Sequence, residues 1–184
     1  MKVKLNNVRI AFCDALFVAK QVQGQGDPAF SSSFLFPPDH PCVKDVNVAI
    51  DAVAREKWGA KATTILAQMR ATDKVCLHSG DLKADYEGYA GNLFISARNK
   101  TRPLVIDRDK SPLTQDDGKP YGGCYVNASI ELWAQDNQFG KRVNASLSGV
   151  QFDHDGDSFS GGRPADPDEF DDMSQGADAA DLPV

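Results

Sequence analysis

The sequence of 184 residues predicts an all-β fold with one helical insertion, an OB-fold-like Greek-key barrel of five to six strands followed by a disordered C-terminal tail. Three observations predict this. Apolar and polar residues alternate at strand spacing before residue 37 and again after residue 91, an amphipathic helical region lies between, and an acidic segment follows Phe152. Because these patterns do not fix the strand order, an SH3-like barrel and an open α+β sheet remain alternatives.

The first 36 residues predict two strands. In the first, alternate positions are apolar, namely Val8, Ile10 and Phe12. We expect a loop next, because turn-forming residues cluster there: Gly24, Gly26 and Pro28. The second strand spans residues 30–36 and places its phenylalanines on one face, at Phe30, Phe34 and Phe36. The pair Pro37 and Pro38 ends it.

The central region predicts helix. Val46, Ile50 and Val53 recur at helical spacing, with Asp45 as the expected N-cap and Gly59 as the expected stop. A second helical stretch spans residues 62–70. The apolar positions of both stretches are expected to face the core.

The region 125–152 predicts a hairpin with one buried and one wet face. Even positions from Val126 to Ala134 are apolar, and the parity inverts after residue 140. A four-residue loop over 137–140 would pair 134 with 143 and 133 with 144, which places both apolar sets on one side.

A strand over residues 92–100 carries the candidate binding residues. Its odd positions are apolar, whereas its even positions place Phe94, Arg98 and Lys100 on the solvent face, before a further strand that Pro103 opens. The wet face of the hairpin adds Trp133 and Arg142. Aromatic rings that stack on bases beside cations that neutralise phosphates are what a single-strand binder needs. The candidate DNA-binding residues are Tyr86, Tyr89, Phe94, Arg98, Lys100, Arg102, Lys119, Tyr121, Tyr125, Trp133 and Arg142.

Charge divides the chain into two parts. Residues 153–184 hold ten acidic residues and one arginine, a net charge of −9, while residues 1–152 hold 19 basic and 16 acidic residues, a net charge of +3. The acidic part has too few large apolar residues to fold by itself. We therefore expect a binding domain over 1–152 and a disordered tail over 153–184. The tail either merely aids solubility, competes with polyanions for the cationic site, or docks onto a partner protein.

Other classes of function find little support. The sequence contains no phosphate-binding loop, no dinucleotide fingerprint and no hydrolase or zinc-protease motif, so we predict no enzymatic activity, no cofactor and no metal. Asp81, Asp85 and Glu87 would be the ligands of a nuclease alternative, but a solvated loop is favoured. The four cysteines are widely spaced and are expected to be reduced thiols. No apolar run is long enough to span a membrane and no signal peptide precedes the domain, which predicts a cytoplasmic protein.

Several segments, in this order, resemble phage-encoded single-stranded DNA-binding proteins of tailed phages: residues 91–98, 102–105, 149–152, 159–163 and 169–172. The resemblance implies an OB-fold, single-strand binding with little sequence preference, and a role in phage replication or recombination in the cytoplasm of an infected bacterium. On the hypothesis of a phage single-strand binder, we expect the tail to recruit replication proteins such as a polymerase, helicase or nuclease. A protein–protein adaptor or a virion-associated structural module remains the alternative.

Overall fold

The computed structural model describes residues 1–22, 24–159 and 167–174. Within these ranges the strands are β1 (Lys2–Ala11), β2 (Lys20–Val22), β3 (Gln25–Phe36), β4 (Leu77–Ser79), β5 (Leu93–Asn99), β6 (Leu104–Ile106), β7 (Tyr125–Asn137) and β8 (Gly140–His154). The helices are α1 (Cys42–Trp58) and α2 (Ala62–Ala71), which lie between β3 and β4.

Five long strands close into a barrel. β1 pairs with β3 and β7, β3 pairs with β5, and β7 pairs with β8, all antiparallel. The barrel closes where β5 and β8 pair in parallel. The order β1–β3–β5–β8–β7 is that of an OB-fold, so the predicted Greek-key barrel with a helical insertion is confirmed.

The β7–β8 hairpin has the predicted register. Ala134 pairs with Val143, and Trp133 pairs with Asn144. The predicted loop of four residues is wrong, because Asn137 and Gly140 also pair and only residues 138 and 139 form the turn. A bulge beside Ser129 shifts the later register, which keeps the apolar residues at 150 and 152 in the core.

The core fills the barrel and continues beneath the helices. Phe34, Ile95 and Leu147 are fully buried inside the barrel, and Val46 and Ile50 of α1 pack into the same cluster. Full burial stabilises each such side chain by about 1.5–3 kcal/mol relative to an exposed position. The helical insertion is therefore part of the domain core.

The helix boundaries differ from the prediction at one end. α1 begins at Cys42 after Pro41, so the prediction of Asp45 as the N-cap is wrong. Asp45 instead lies in the first turn, where a carboxylate interacts favourably with the helix dipole. The predicted stop at Gly59 is confirmed, since this glycine adopts a φ of 56°.

The predicted loop before β3 is shorter than expected. Gly24 lies in the turn, but Gly26 and Pro28 lie inside β3, which pairs with β2. Proline is tolerated there because the β2–β3 register is irregular between Lys20 and Val22, and a bulged ladder leaves positions that donate no hydrogen bond.

The first residues of the acidic segment 153–184 remain in contact with the barrel. β8 runs to His154, and residues 155–159 pack back against the barrel. Residues 160–166 and 175–184 lie outside the described residues, so the expectation of a disordered tail falls mainly there. None of the helices within the described ranges has the length and apolar character needed to cross a membrane.

Candidate nucleic-acid interface

A groove of about 340 Å³ runs along the outer face of the barrel between β5 and β8. The two strands pair where Arg98 meets Ser146, and beyond that point Val75 bridges to Val143. The Val143 amide donates to the Lys74 carbonyl at 3.1 Å, which fixes the 74–76 segment as one wall. We call this feature the cationic groove. Its lining residues are Lys74, Val75, Cys76, His78, Ser96, Arg98, Trp133, Gln135, Arg142, Val143, Asn144, Ala145 and Ser146.

Three of the predicted residues meet in the cationic groove. Arg98 lies on β5, Trp133 on β7 and Arg142 on β8, and all three side chains are exposed. The Trp133 indole N–H donates to Ser146 Oγ at 3.0 Å, which orients the ring while leaving it 44% exposed. The ring is therefore held in place with a surface that a base can cover.

The cationic groove is positively charged because Arg98 and Arg142 line it and no acidic side chain is among its described lining residues. Lys74 adds a third cation to the two arginines. His78 also lines it, and its Nδ1 lies 2.6 Å from the Asp73 carboxylate. Such a lining attracts phosphate groups.

The prediction that Phe94 is exposed is wrong. Phe94 does point to the outer face of β5, as the alternation predicts, but it is only 4% exposed. The segment between β4 and β5 folds over it, so Tyr89 packs on it edge to face and Ala11 and Leu35 complete a small second core. Tyr89 is buried as well, and neither ring can stack on a base without unfolding this segment.

A second concavity, of about 650 Å³, is lined by four of the predicted residues: Tyr86, Tyr89, Lys119 and Tyr121. We call it the aromatic cavity. Tyr86 is 52% exposed at its rim and packs edge to face on Phe12 at 5.2 Å between centroids. Lys119 pairs with Asp107 at 3.0 Å. Among the residues that the structure describes, none lines both the aromatic cavity and the cationic groove.

Tyr121 connects the aromatic cavity to the acidic segment. Its hydroxyl donates to Asp155 Oδ1 at 2.7 Å. Burial and this hydrogen bond to a carboxylate raise the pKa of Tyr121 to about 12. Tyr121 therefore holds the start of the acidic segment against the barrel.

The remaining predicted residues lie outside both concavities. Lys100 is exposed and donates to Asp27 at 2.8 Å, and this hydrogen bond and charge lower the pKa of the Asp27 carboxyl. The Arg102 guanidinium lies 5.6 Å from the centre of the Phe30 ring. Tyr125 stacks on His154 at 4.4 Å between centroids. The eleven candidates thus do not form one surface.

Sequence patterns missed several residues beside the two concavities. Phe139 is 73% exposed at the tip of the β7–β8 turn, and an aromatic among polar turn residues was the signal that could have found it. Phe12 continues the apolar alternation of the first strand, but it has a φ of 56° and its side chain is 47% exposed. Lys83 and Lys74 lie in stretches without a periodic pattern, so nothing in the sequence marked them.

Asp81, one of the three acidic residues of the nuclease alternative, has a structural contact. Asp81 accepts a hydrogen bond from the Gly91 amide at 2.9 Å, which closes the turn before β5. Within the ranges that the structure describes, no group of three or more His, Cys, Asp or Glu side chains is arranged to hold a metal ion.

An OB-fold whose outer face combines cations with an exposed, oriented aromatic ring defines a class of protein, the OB-fold domains that bind single-stranded nucleic acid. In that class the second and third barrel strands and the loop between the last two strands take part in binding. Of these, β5 is the third barrel strand and the β7–β8 turn is the last loop.

A family model described as the single-stranded DNA-binding protein of Enterobacter phage Enc34 matches residues 1–181. The chain belongs to this family. It is also 50% identical over 177 residues to putative protein p50 of Acyrthosiphon pisum secondary endosymbiont phage 1, covering 95% of each chain.

Solved structures of phage single-stranded DNA-binding proteins are also similar to this chain. The Enc34 single-stranded DNA-binding protein in complex with single-stranded DNA matches with a TM-score of 0.71 and 26% identity, over 85% of this chain and 88% of that one. Another structure of the same phage protein matches with a TM-score of 0.68 and 28% identity, over 92% of this chain and 90% of that one. Bacteriophage T7 gp2.5, also a single-stranded DNA-binding protein, matches with a TM-score of 0.57 over 89% and 91%. Its 12% identity supports the likeness in fold alone.

Proposed function

We propose that this protein binds single-stranded DNA along the cationic groove, without catalysis and with little sequence preference. The observation that carries the proposal is the convergence of Arg98, Trp133 and Arg142 from three adjacent strands on a groove lined by no described acidic residue. The Enc34 relative, solved with single-stranded DNA, supports the choice of ligand.

The chemistry of the groove favours single strands. The guanidinium groups of Arg98 and Arg142 would neutralise successive phosphates, while the face of Trp133 would stack on an unpaired base. Neither contact reads the hydrogen-bonding edge of a base, which is why we expect little sequence preference. A base inside a duplex does not offer its face to Trp133.

The family also suggests a biological role. We propose that the protein protects single strands during phage DNA replication or recombination, in the cytoplasm of the infected bacterium. The match to a phage family over residues 1–181 supports this role.

We also propose that residues 1–152 form the binding domain and 153–184 an acidic tail that regulates access to it. The opposite net charges of the two parts support competition between the tail and DNA. Phe170 and Met173 are exposed between acidic residues, which suits docking onto replication proteins such as a polymerase, helicase or nuclease. A tethered tail acts at an effective concentration of order mM.

The test is a competition between labelled oligo-dT of about 16 nucleotides, the upper site size of an OB-fold, and a duplex of equal length. We expect a strong preference for the single strand, and equal affinity for both would contradict the proposal. The adaptor alternative predicts no preference, and the nuclease alternative predicts magnesium-dependent loss of the probe.

A further inference from the structure

We propose that the aromatic cavity is a second binding site, which takes an arginine- or lysine-bearing segment of a partner protein while DNA occupies the cationic groove. This goes beyond the proposed function, because the site lies apart from the groove and recognises the opposite charge. Its lining residues are Ala11, Phe12, Cys13, Asp14, Phe17, Asp85, Tyr86, Glu87, Tyr89, Gln115, Gly118, Lys119, Pro120, Tyr121, Gly122 and Phe159.

The walls have the shape and surface to take a side chain with an apolar stem. The volume of about 650 Å³ exceeds that of the cationic groove, and six of the lining residues are aromatic. Phe12 and Tyr86 present exposed rings at the rim, at 47% and 52%. Exposed aromatic rings around a concavity are typical of sites that bind another molecule.

The charge of the lining selects a cation. Asp14 and Asp85 contribute carboxylates, whereas Lys119 is the one cation among the described lining residues. Arg9 and Lys83 lie over rings of the cavity from outside that lining. Lys119 is already paired with Asp107 at 3.0 Å, so its charge is largely balanced. A phosphate would be repelled here, while a guanidinium or ammonium group would be attracted.

Cations of the protein itself already lie over rings of this cavity. The Arg9 guanidinium lies 4.3 Å from the centre of the Phe159 ring, and the Lys83 ammonium lies 6.0 Å from that of Phe12. Cation–π contacts of this kind are the usual way in which aromatic pockets hold basic side chains.

The observations favour a basic protein segment over the other occupants. Single-stranded DNA would bring phosphates close to Asp14 and Asp85, and a second copy of the chain would bring a net charge of −6. A basic segment complements the carboxylates and the rings together.

The probe is a short peptide in which arginine alternates with serine, added to the full-length protein, and the citrulline version of the peptide is its uncharged control. Glycine amides report each site by NMR, with Gly118 and Gly122 at the aromatic cavity and Gly140 beside Lys74 at the cationic groove. We expect the arginine peptide to shift Gly118 and Gly122 and not Gly140, and the citrulline peptide to shift none of them. Oligo-dT should shift Gly140 alone, and both ligands should bind together.

Two pairs of charge variants separate the cavity from the tail, which also attracts cations. Asp14→Asn with Asp85→Asn should weaken peptide binding about tenfold, and Tyr86→Ala should weaken it severalfold. Asp171→Asn with Asp172→Asn removes the same charge from the tail and should leave binding unchanged.

Four results would overturn the inference. The first is equal binding of the citrulline and arginine peptides, and the second is an equal loss of peptide binding in the tail variant. The third is displacement of the peptide from Gly118 and Gly122 by oligo-dT. The fourth is a concentration-dependent shift of those amides without peptide. The third result would mean that DNA binds in the aromatic cavity, and the fourth that a second copy of the chain binds there. The proposed function is judged separately, by the response of Gly140 to oligo-dT.

Discussion

Trp133 is the residue on which the proposed DNA contact most depends. Its ring is oriented by Ser146 and remains exposed in the groove that Arg98 and Arg142 also line. Base–aromatic stacking contributes about 1–3 kcal/mol per base, so Trp133→Ala should weaken binding of oligo-dT roughly 5- to 150-fold. Trp133→Phe should retain most of the affinity. Fluorescence anisotropy of a labelled oligonucleotide measures both, and unchanged binding by Trp133→Ala would place the DNA elsewhere.

Phe94 has a different role from Trp133 although both lie on the outer face of the barrel. Because Phe94 is buried against Tyr89, Phe94→Ala should lower the free energy of unfolding by about 3 kcal/mol. The exposed Phe139 provides the control, and Phe139→Ala should change stability by less than about 0.5 kcal/mol. Urea unfolding measures both. If the Phe94→Ala protein had normal stability but no longer bound DNA, the buried role of Phe94 would be contradicted and Phe94 would belong to the binding surface.

Three of the four cysteines are buried and Cys13 is half-buried, so we expect the thiols to react slowly. Burial raises the pKa of the Cys13 thiol. It raises the pKa of Cys42 and the pKa of Cys76 to about 12, and the pKa of Cys124 to about 11. The thiolate is the reactive form, so Ellman's reagent should modify the native protein slowly and the denatured protein rapidly at about pH 8. Rapid modification of all four thiols in the native protein would contradict their burial.

The same thiols set a limit to stability at high pH. In the unfolded chain they ionise near the ordinary value of 9.0, whereas in the folded protein they stay protonated to higher pH. Their stabilising contribution is therefore complete below pH 9 and is lost as the pH rises towards the folded values.

At the scale of elements, the 155–159 segment is fixed to the barrel by a close backbone contact. Gly123 has a φ of 107°, and a Cβ there would overlap the carbonyl of Asp157. Gly123→Ala should therefore detach this segment and cost more than about 1 kcal/mol of stability. Gly118→Ala is the matched control, because its φ of 70° brings the same backbone strain without a neighbouring atom. Limited proteolysis should cut only the Gly123 variant near residue 155, and equal cleavage of both would contradict the contact.

The elements that sequence could predict are those that expose one face and bury the other. Alternation at Val126 and Val143 gave the hairpin register because a slip of one residue would turn every apolar side chain to water. The segment between β4 and β5 has no such alternation, so its fold over Phe94 depends on tertiary contacts such as Tyr89 on Phe94. For this reason the groove residues on β5, β7 and β8 were found, while the burial of Phe94 was not.

At the scale of the whole molecule, charge is separated over three places. The groove is cationic, the aromatic cavity is acidic, and the segment after Phe152 carries a net charge of −9. The Arg9 contacts to Asp157 and Phe159 mean that the segment leaves the barrel beside the aromatic cavity. A tail that starts there is tethered to the same domain as the groove.

Truncation after Phe159 should therefore tighten DNA binding, since it removes acids while keeping the packed 155–159 segment. The gain in affinity should be largest at about 50 mM salt and small at about 200 mM, because salt screens the attraction of both the tail and the DNA to the cationic groove. Isothermal titration of oligo-dT into both proteins measures the difference. An affinity that does not change at low salt would remove the competition and leave DNA binding intact.

The salt dependence of oligo-dT affinity tests most directly whether the cationic groove holds the DNA backbone. Each neutralised phosphate of a single strand contributes about −0.7 to the slope of log K against log salt, so Arg98→Gln with Arg142→Gln should make the slope shallower by about 1.4. Lys20→Gln with Lys110→Gln removes the same charge outside the groove and should leave the slope unchanged. A double groove variant with the slope of the unaltered protein would contradict the account.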